Sequence, residues 1–275
     1  MSDQIPSDPS GVDPTASFPP PTDPTAPPST GPTPPWGPGD GAYVPPATSY
    51  TPMAPTPMAP FTPAQRMRAA VERRVTADYL FSFWTALGWT LLTCGIFGYY
   101  VVYKMFERWV AHNQRRLEVL EAGTTMAWEK AVAAGRGDEL TPWFESLGTQ
   151  IGVLRRITTE FRDPGLWTLI CVLAGGIGQI IGYVLLDGDL TDHEAAERSA
   201  EEQLAAILAS LGVHVALPPA PVPKGRHNTV GRIVALFASC GLYSFWWQYD
   251  VMEEGNANFR ADWAREDALL AALGA

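Results

Sequence analysis

The stretch that follows the second apolar run of the chain gathers side chains that could bind a metal or transfer protons. Carboxylates and one histidine fall close together here: Asp187, Asp189, Asp192, His193, Glu194 and Glu197. Such groups ligate divalent metals and act as general acids and bases. His193 and Glu197 are four residues apart and share a helical face, but one pair does not make a site. Thr191 and Glu194 have capping-box spacing, so we interpret the cluster as the acidic start of a helix.

Other residues with reactive side chains do not form known motifs. The sequence has no glycine-rich phosphate loop, serine nucleophile elbow or His-Glu-x-x-His motif. Its three cysteines, Cys94, Cys171 and Cys240, each lie in an apolar run and are interpreted as packing residues. The other histidines have no acidic or cysteine partner at ligand spacing and are predicted to be solvated: His112, His214 and His227. We therefore expect no catalytic, cofactor-binding or metal-binding residues, and no enzyme.

The chain divides into two regions of unlike composition. Residues 1–64 contain 20 of the 26 prolines, five aspartates and no Lys or Arg, without an apolar period. Such a segment buries too little surface to order itself, so we predict a disordered, acidic, Pro-rich tail that lacks signal-peptide features. The net charge of −10 divides equally between this tail and residues 65–275. Neither region has the basic stripe that a nucleic-acid partner requires.

Residues 65–275 contain three long apolar runs. Residues 80–103 and 166–186 comprise 24 and 21 residues without a charge, and Ile233–Tyr249 comprises 17. At helical rise the first run would be about 36 Å long, which is enough to cross a bilayer core. Tryptophans and tyrosines crowd the ends of the runs, as in an interfacial belt. The sequence therefore predicts an all-α integral membrane domain with three transmembrane helices, at 80–103, 166–186 and 231–249.

The first and third runs are related in sequence. The first contains TCGIFGYYVVYKMFE and the third contains SCGLYSFWWQYDVME, which predicts a parallel repeat of residues 80–122 and 228–270. Gly95 and Gly241 fall at equivalent places in the two runs, so each run could instead break there into a re-entrant hairpin. Broken backbone at that depth has to be shielded by other protein, and we favour continuous helices that are straight or kinked.

Small residues and charged stretches accompany the runs. Small side chains recur every four positions in the first run (Ser82, Ala86, Thr90, Cys94 and Gly98) and in the second (Ala174, Gly178 and Gly182). Such rows let helix backbones approach closely in a membrane, so we expect these faces to meet within the chain or in a homo-oligomer. The charged stretches after each run have helical period and predict amphipathic helical extensions.

The orientation in the membrane is not decided by charge. Lys and Arg near the ends of the runs number eight on each side. A basic cluster precedes the first run, which can then act as an uncleaved anchor. We therefore predict a multi-pass protein of the inner cell membrane with a cytoplasmic N-terminus.

Three segments resemble a family of uncharacterised prokaryotic integral-membrane domains with repeated Thr-x-Gly-Ile-Tyr-like signatures. Thr-Cys-Gly-Ile-Phe, followed by aromatic residues and Tyr-Lys, carries the resemblance in residues 80–122. Residues 164–198 are similar to the helix that follows in the family, and residues 228–270 look like a variant repeat with an Asn-x-x-Phe motif. The resemblance implies a membrane location and no known activity, so no catalytic residue is carried over.

These observations predict a non-enzymatic, oligomeric membrane scaffold, with the lipid bilayer and a protein bound by the Pro-rich tail as its partners. The alternative is a subunit of a small oligomeric channel or transporter. Thr90, Thr93 and Gln179, with scattered serines, offer the only polar face for a pore, and the runs lack the ionisable residues of ion-coupled transporters. A third hypothesis, a membrane enzyme, would use the cluster at 189–197.

Overall fold

The computed structural model describes residues 61–219 and 228–275, and within these ranges the ordered elements are all α-helical. The predicted all-α fold is therefore confirmed. The tail predicted for residues 1–64 lies outside the described ranges apart from its last four residues. The helices are α1 (Pro63–Glu72), α2 (Arg74–Ala77), α3 (Phe83–Leu92), α4 (Ile96–Ala133), α5 (Gly137–Thr159), α6 (Pro164–Ala174), α7 (Gly176–Ser210), α8 (Thr229–Ala238) and α9 (Tyr243–Leu273).

Each apolar run is broken into two helices that fold back on one another. The break lies at residues 93–95 in the first run, at Gly175 in the second and at residues 239–242 in the third. Within the described ranges, no helix combines the length and the apolar character that crossing a bilayer demands. The prediction of continuous helices is therefore wrong in all three places: 80–103, 166–186 and 231–249.

The first and third turns have the same backbone conformation. Cys94 and Cys240 both have φ of +51°, and the following glycines, Gly95 and Gly241, have φ of +94° and +91°. The amide of Gly95 donates to the carbonyl of Thr90, five residues earlier, at 2.7 Å. This hydrogen bond spans the whole turn and is characteristic of a Schellman motif. Glycine suits the second position because it adopts positive φ without strain. The Cys-Gly pair therefore ends one helix in each copy of the repeated sequence.

The residue before each Cys-Gly pair caps the start of the next helix. Thr93 Oγ1 accepts a hydrogen bond from the amide of Phe97, and Ser239 Oγ accepts one from the amide of Tyr243, both at 2.9 Å. A hydroxyl at this place satisfies an amide that has no partner within the new helix. The pattern Thr/Ser-Cys-Gly thus contains both a stop and a start signal, which explains the hairpins.

The cysteines differ in their surroundings. Cys171 is buried, as expected of a packing residue, and lies close to Gly182 of α7. Cys94 and Cys240, in contrast, are exposed in the hairpin turns. For these two residues the interpretation as packing residues is wrong.

The small residues pack within the chain. A Cβ atom added to Gly178 would lie 2.8 Å from the carbonyl oxygen of Ile170, so this glycine lets α7 lie directly against α6. Gly98 similarly faces the side chain of Thr90, across the first turn. The row from Ser82 to Gly98 is therefore interrupted by the turn, and its members on α3 and α4 face each other.

The long helices α4, α7 and α9 run parallel, so the three hairpin turns lie at the same end of these helices. Phe106 of α4 is close to Gly182 of α7, and Gly123 further along α4 is close to Leu204 of α7. The same order relates α4 to α9, through the pairs Arg108–Asn256, Arg115–Glu266 and Gly123–Leu273. Each long helix therefore begins in a hairpin and ends in a common helical body.

This body is built from α1, α5 and the C-terminal halves of the three long helices. Its apolar core includes Met67, Val119, Leu120, Phe144, Leu147, Ile151, Leu204 and Leu269. Helix α1 packs on α4 through Met67 and Ala70, which are fully buried. The segment before the first hairpin and the helix after it are thus on the same side of the hairpin turns.

The charged stretches continue the long helices, as predicted, but the start predicted inside one of them is wrong. Helix α7 is uninterrupted from Gly176 to Ser210, so Thr191 does not cap a helix. Its hydroxyl donates instead to the carbonyl of Asp187, four residues earlier, at 2.8 Å. Gly212, with φ of +78°, follows the end of the helix.

Candidate membrane-binding surface and buried ionic network

The hairpin end of the molecule exposes large apolar side chains on all three hairpins. Leu92, Leu173 and Phe237, close to the turns, are 71%, 78% and 76% exposed. Others share this surface: Trp84, Trp89, Leu91, Ile96, Leu166, Leu169, Val172, Ile177, Ile181, Val230, Val234, Leu242, Phe245 and Trp246. Contiguous apolar surface of this kind is typical of a site that contacts lipid or another protein. We call it the apolar tip.

The apolar tip ends at a belt of charged residues at the bases of the hairpins. Arg162 donates from Nε to Asp189 at 2.6 Å, and its guanidinium lies 5.4 Å from the ring centre of Trp167. Each hairpin has one ion pair in this belt: Lys104–Glu107, Arg162–Asp189 and Arg232–Asp250. Roughly ten residues separate turn from belt, which is about 15 Å of helix. This depth is about half of a bilayer's hydrocarbon core.

Cavities separate the hairpins within the apolar tip. A groove of about 760 Å³ between the second and third hairpins is lined mainly by apolar residues, such as Ile177, Leu236 and Phe237, and also by Gln179 and Ser244. A second cavity, of about 290 Å³, lies among the three hairpins and includes Gln179 and Gln248 in its lining. The hairpins therefore share a buried core, which includes Phe83, Cys171 and Trp247, and leave openings between them closer to the turns.

Beyond the belt, Asp78 is the centre of a buried ionic network. It lies in the loop after α2 with 2% of its surface exposed. It accepts hydrogen bonds from Arg115 Nη2 at 2.5 Å, from Trp263 Nε1 at 2.5 Å and from His112 Nδ1 at 3.0 Å. Because these donors come from α4 and α9, Asp78 ties the segment before the first hairpin to two long helices.

Two adjacent arginines of α4 extend the network to α7. Glu266 of α9 accepts from Arg115 Nη1 at 2.6 Å and from Arg116 Nη1 at 3.0 Å. Arg116 also donates to Glu197 at 2.6 Å and to Glu201 at 2.5 Å, both on α7. One buried guanidinium therefore joins three parallel helices.

Arg108 and Asn256 fix the start of the first hairpin. The side chain of Asn256 donates to the carbonyl of Phe81 at 2.8 Å and accepts from its amide at 2.9 Å. Arg108, which is buried, donates to Asn256 Oδ1 at 3.0 Å. Burial lowers the pKa of Arg108 to about 9. Gly255 is required by space here, because an added Cβ would lie 2.4 Å from the Arg108 guanidinium.

A small polar cavity lies beside the network, between α4, α7 and α9. Its volume of about 30 Å³ is enough for about one or two water molecules. Burial raises the pKa of Glu194 and of Glu197 to about 7, in the second case against the charge of Arg116. Burial also lowers the pKa of His193 to about 3, so this histidine is neutral at pH 7.

His112 in the same cavity has the opposite shift. Burial would lower its pKa, but hydrogen bonds to Asp262 and Asp78 outweigh this effect and raise the pKa to about 9. Its Nε2 atom lies 3.3 Å from Asp262 Oδ2. The prediction that His112 is solvated is therefore wrong. His214 is exposed, as predicted, and His227 lies outside the described residues.

The structure separates the members of the acidic cluster at 187–197. His193, Glu194 and Glu197 line the small cavity, where His193 Nδ1 is 3.6 Å from Glu197. Asp189 belongs instead to the belt, through its pair with Arg162. In the described part of the chain, no three His, Cys, Asp or Glu residues are arranged to hold a metal ion.

Sequence reasoning missed most of the ionic network, although a signal for it exists. Basic or histidine side chains recur on one face of α4, at positions 108, 112, 115 and 116. Acidic side chains recur every four residues on α7, at Glu197 and Glu201. Faces of opposite charge at helical spacing indicate helices that could pair through ions. The prediction of amphipathic extensions for these stretches did not include ion pairs between their charged faces.

Fold and surface together define an all-α protein with three apolar helical hairpins on a helical body that is held by buried ion pairs. Comparison of the chain with protein-family models, with curated proteins and with solved structures finds no match. The family resemblance of residues 80–122, 164–198 and 228–270 therefore rests on the sequence motifs alone.

Proposed function

We propose that the protein is a non-enzymatic, membrane-anchored scaffold whose three hairpins enter one leaflet of the bilayer. The helical body and the Pro-rich tail then lie on the same side of the membrane, where the tail binds a protein partner. The packing of α1 against α4 carries this proposal. Arg73, which precedes the first hairpin, forms an ion pair with Glu118, which follows it. This contact supports a topology in which the chain enters and leaves the membrane on the same side.

The exposed apolar side chains of the tip favour insertion, because the bilayer would remove them from water. Removing a large apolar side chain from water contributes about 1.5–3 kcal/mol, and all three hairpins carry several such chains at high exposure. The belt of ion pairs at the hairpin bases would remain in the headgroup region. Insertion to about 15 Å would thus place the tip in hydrocarbon and the belt at the interface.

The backbone at the first and third turns also suits a lipid environment. An unpaired peptide group in hydrocarbon costs several kcal/mol, and helix ends normally leave such groups. At the first turn, the amides of residues 93–98 all donate, five to carbonyls and that of Phe97 to the hydroxyl of Thr93. The third turn repeats this arrangement for residues 239–244. Such pairing satisfies the donors without water.

The proposed location is the inner cell membrane, with the tail and the body in the cytoplasm. Hairpins that turn halfway through the bilayer leave the opposite leaflet unbroken. A channel would require a further path through that leaflet, so we favour a scaffold over a channel or transporter subunit. Copies of the protein that associate through the apolar tip would lie side by side in the plane of the membrane, which is compatible with this function.

Cysteine labelling tests the one-sided insertion. Arg73→Cys and Glu118→Cys, each in a chain without native cysteines, are expected to react with a membrane-impermeant maleimide from the same face of sealed vesicles. A spin label at the native Cys94 is expected at a depth of about 15 Å, accessible to oxygen and shielded from a water-soluble nickel complex. Val153→Cys, on the outer face of α5, is the matched exposed control and should be accessible to the nickel complex.

Reaction of positions 73 and 118 from opposite faces would overturn the proposal and favour a chain that crosses the bilayer. Full exposure of the Cys94 label to water would also contradict it. Cys240 provides an independent check, because it occupies the same position in the third hairpin.

Deletion of residues 1–60 tests the role of the tail. We expect the truncated protein to remain in the membrane with unchanged labelling of position 118, and to lose the protein partner that crosslinks to the full chain in cells. The truncation leaves Thr62, the cap of α1, in place. A crosslinking pattern that does not change on deletion would show that the tail does not recruit the partner.

A further inference from the structure

The apolar tip can add area to only one leaflet. The three turns lie at the same end of the parallel helices, and the belt ion pairs Lys104–Glu107, Arg162–Asp189 and Arg232–Asp250 limit how deep each hairpin enters. Deeper insertion would carry these charges, and then the ionic network around Asp78, into hydrocarbon. Charged groups in the bilayer core are costly. The opposite leaflet therefore receives no protein.

The inserted cross-section is large for a chain of this size. Six helical arms enter the leaflet, two for each hairpin, and at about 10 Å diameter they occupy about 500 Å². A groove of about 760 Å³ and a cavity of about 290 Å³ also lie between the hairpins. Their shared footprint is therefore at least that of six packed helices.

An unequal change in the two leaflets couples insertion to membrane shape. On a flat bilayer the added area compresses the lipids of the entered leaflet. Where the membrane already bends towards the protein side, the lipids of that leaflet are spread apart and the hairpins enter with less strain. Shallow apolar insertion depends on curvature for this reason.

We infer that the protein recognises positively curved lipid surfaces and promotes such curvature where many copies gather. The partner in this inference is the bilayer itself, and no particular headgroup is required, since the belt cations are paired within the chain. The inference rests on the proposed one-sided insertion. A simple membrane anchor would not have this preference for curved membranes.

Single-vesicle fluorescence tests this inference with the full-length protein. The dye-labelled chain is reconstituted into vesicles of mixed size made of one neutral phospholipid, with a lipid dye as the measure of area. We expect the protein density per area to be about threefold higher at diameters near 50 nm than at diameters near 400 nm. A single-pass transmembrane peptide in the same vesicles is the matched control, because it adds equal area to both leaflets and should show no such rise.

Equal density of the protein at all diameters, with insertion intact, would overturn the curvature inference and leave the membrane anchor standing. A failure to associate with vesicles of any size would instead contradict the proposed function. A higher density on the larger vesicles would also refute the inference, since it would mean that insertion is favoured by the opposite bend.

Discussion

Replacing Asp78 by asparagine is expected to lower the free energy of unfolding by about 3–5 kcal/mol, because it breaks a buried ionic network at its centre. The asparagine has nearly the same shape, so the loss comes from charge and from hydrogen-bond capacity. Arg115 would remain buried but would lose one of its carboxylate partners. Its Nη2 and Nε atoms, which donate to Asp78 at 2.5 and 3.2 Å, would face an uncharged amide. Thermal unfolding of the detergent-purified protein, followed by far-UV circular dichroism, measures the effect.

The matched control for Asp78 is Glu118→Gln, which breaks another ion pair between α4 and the segment before the first hairpin. Glu118 and Arg73 are both about half exposed, and exposed ion pairs contribute about 0–1 kcal/mol. The two substitutions thus compare the same chemical change in buried and solvated surroundings. Losses of similar size for both variants would contradict a structural role for the network.

The consequence for the apolar tip separates Asp78 from an ordinary core residue. Asp78 holds the segment before the first hairpin against α4 and α9 through Arg115, His112 and Trp263. Below the melting temperature, the asparagine variant should therefore be cleaved faster by protease near residue 78 than the Glu118 variant is. Buried charges of this kind cost desolvation energy, and here their pairing joins three parallel helices.

Local sequence signals predict the helices better than they predict the hairpins. Helical periodicity in the charged stretches indicates the long extensions correctly, because it depends on residues three and four apart. The transmembrane prediction for the apolar runs depends on length and hydropathy, which add up over a whole window. A stop signal of three residues, such as Thr93 to Gly95, hardly changes that sum. The Cys-Gly pair has to be interpreted as a helix end for the hairpin to be recognised.

The buried network is harder to predict for a different reason. Arg115 and Arg116 lie next to apolar residues on a charged helix, and adjacent arginines are ordinarily exposed. Their partner Glu266 is about 150 residues away along the chain. Only the hairpins bring α4, α7 and α9 together in parallel, so an error about the hairpins hides the network as well. The prediction for His112 fails for the same reason, since Asp78 and Asp262 are distant in sequence.

His112 should make the stability of the protein fall as the pH rises above neutrality. Its pKa is about 9 in the folded protein, against an ordinary value of 6.5 that applies to the unfolded chain, so the folded state holds a proton that the unfolded state has released. The contribution is complete below pH 6.5 and is lost as the pH rises through 9. The difference corresponds to about 3 kcal/mol in total, with a slope of about 1.4 kcal/mol per pH unit.

Replacing His112 by glutamine is expected to remove this slope. Glutamine can still donate a hydrogen bond to one of the flanking carboxylates, but it binds no proton in this range. Unfolding of both proteins is measured between pH 7.5 and 9, above the pKa of about 7 of Glu194 and Glu197. The stability of the wild type should decrease by about 2 kcal/mol more than that of the variant across this interval.

The comparison of slopes, rather than of absolute stabilities, isolates the proton. His112 is packed against Phe259 at 4.2 Å between ring centres, so the substitution also costs packing energy that does not vary with pH. His214→Gln, at an exposed position, is the control and should keep the slope of the wild type. If the His112 variant also keeps that slope, the proton is not held between Asp78 and Asp262. Loss of the slope in the His112 variant alone would show that a buried imidazolium bridges the loop before the first hairpin to α9.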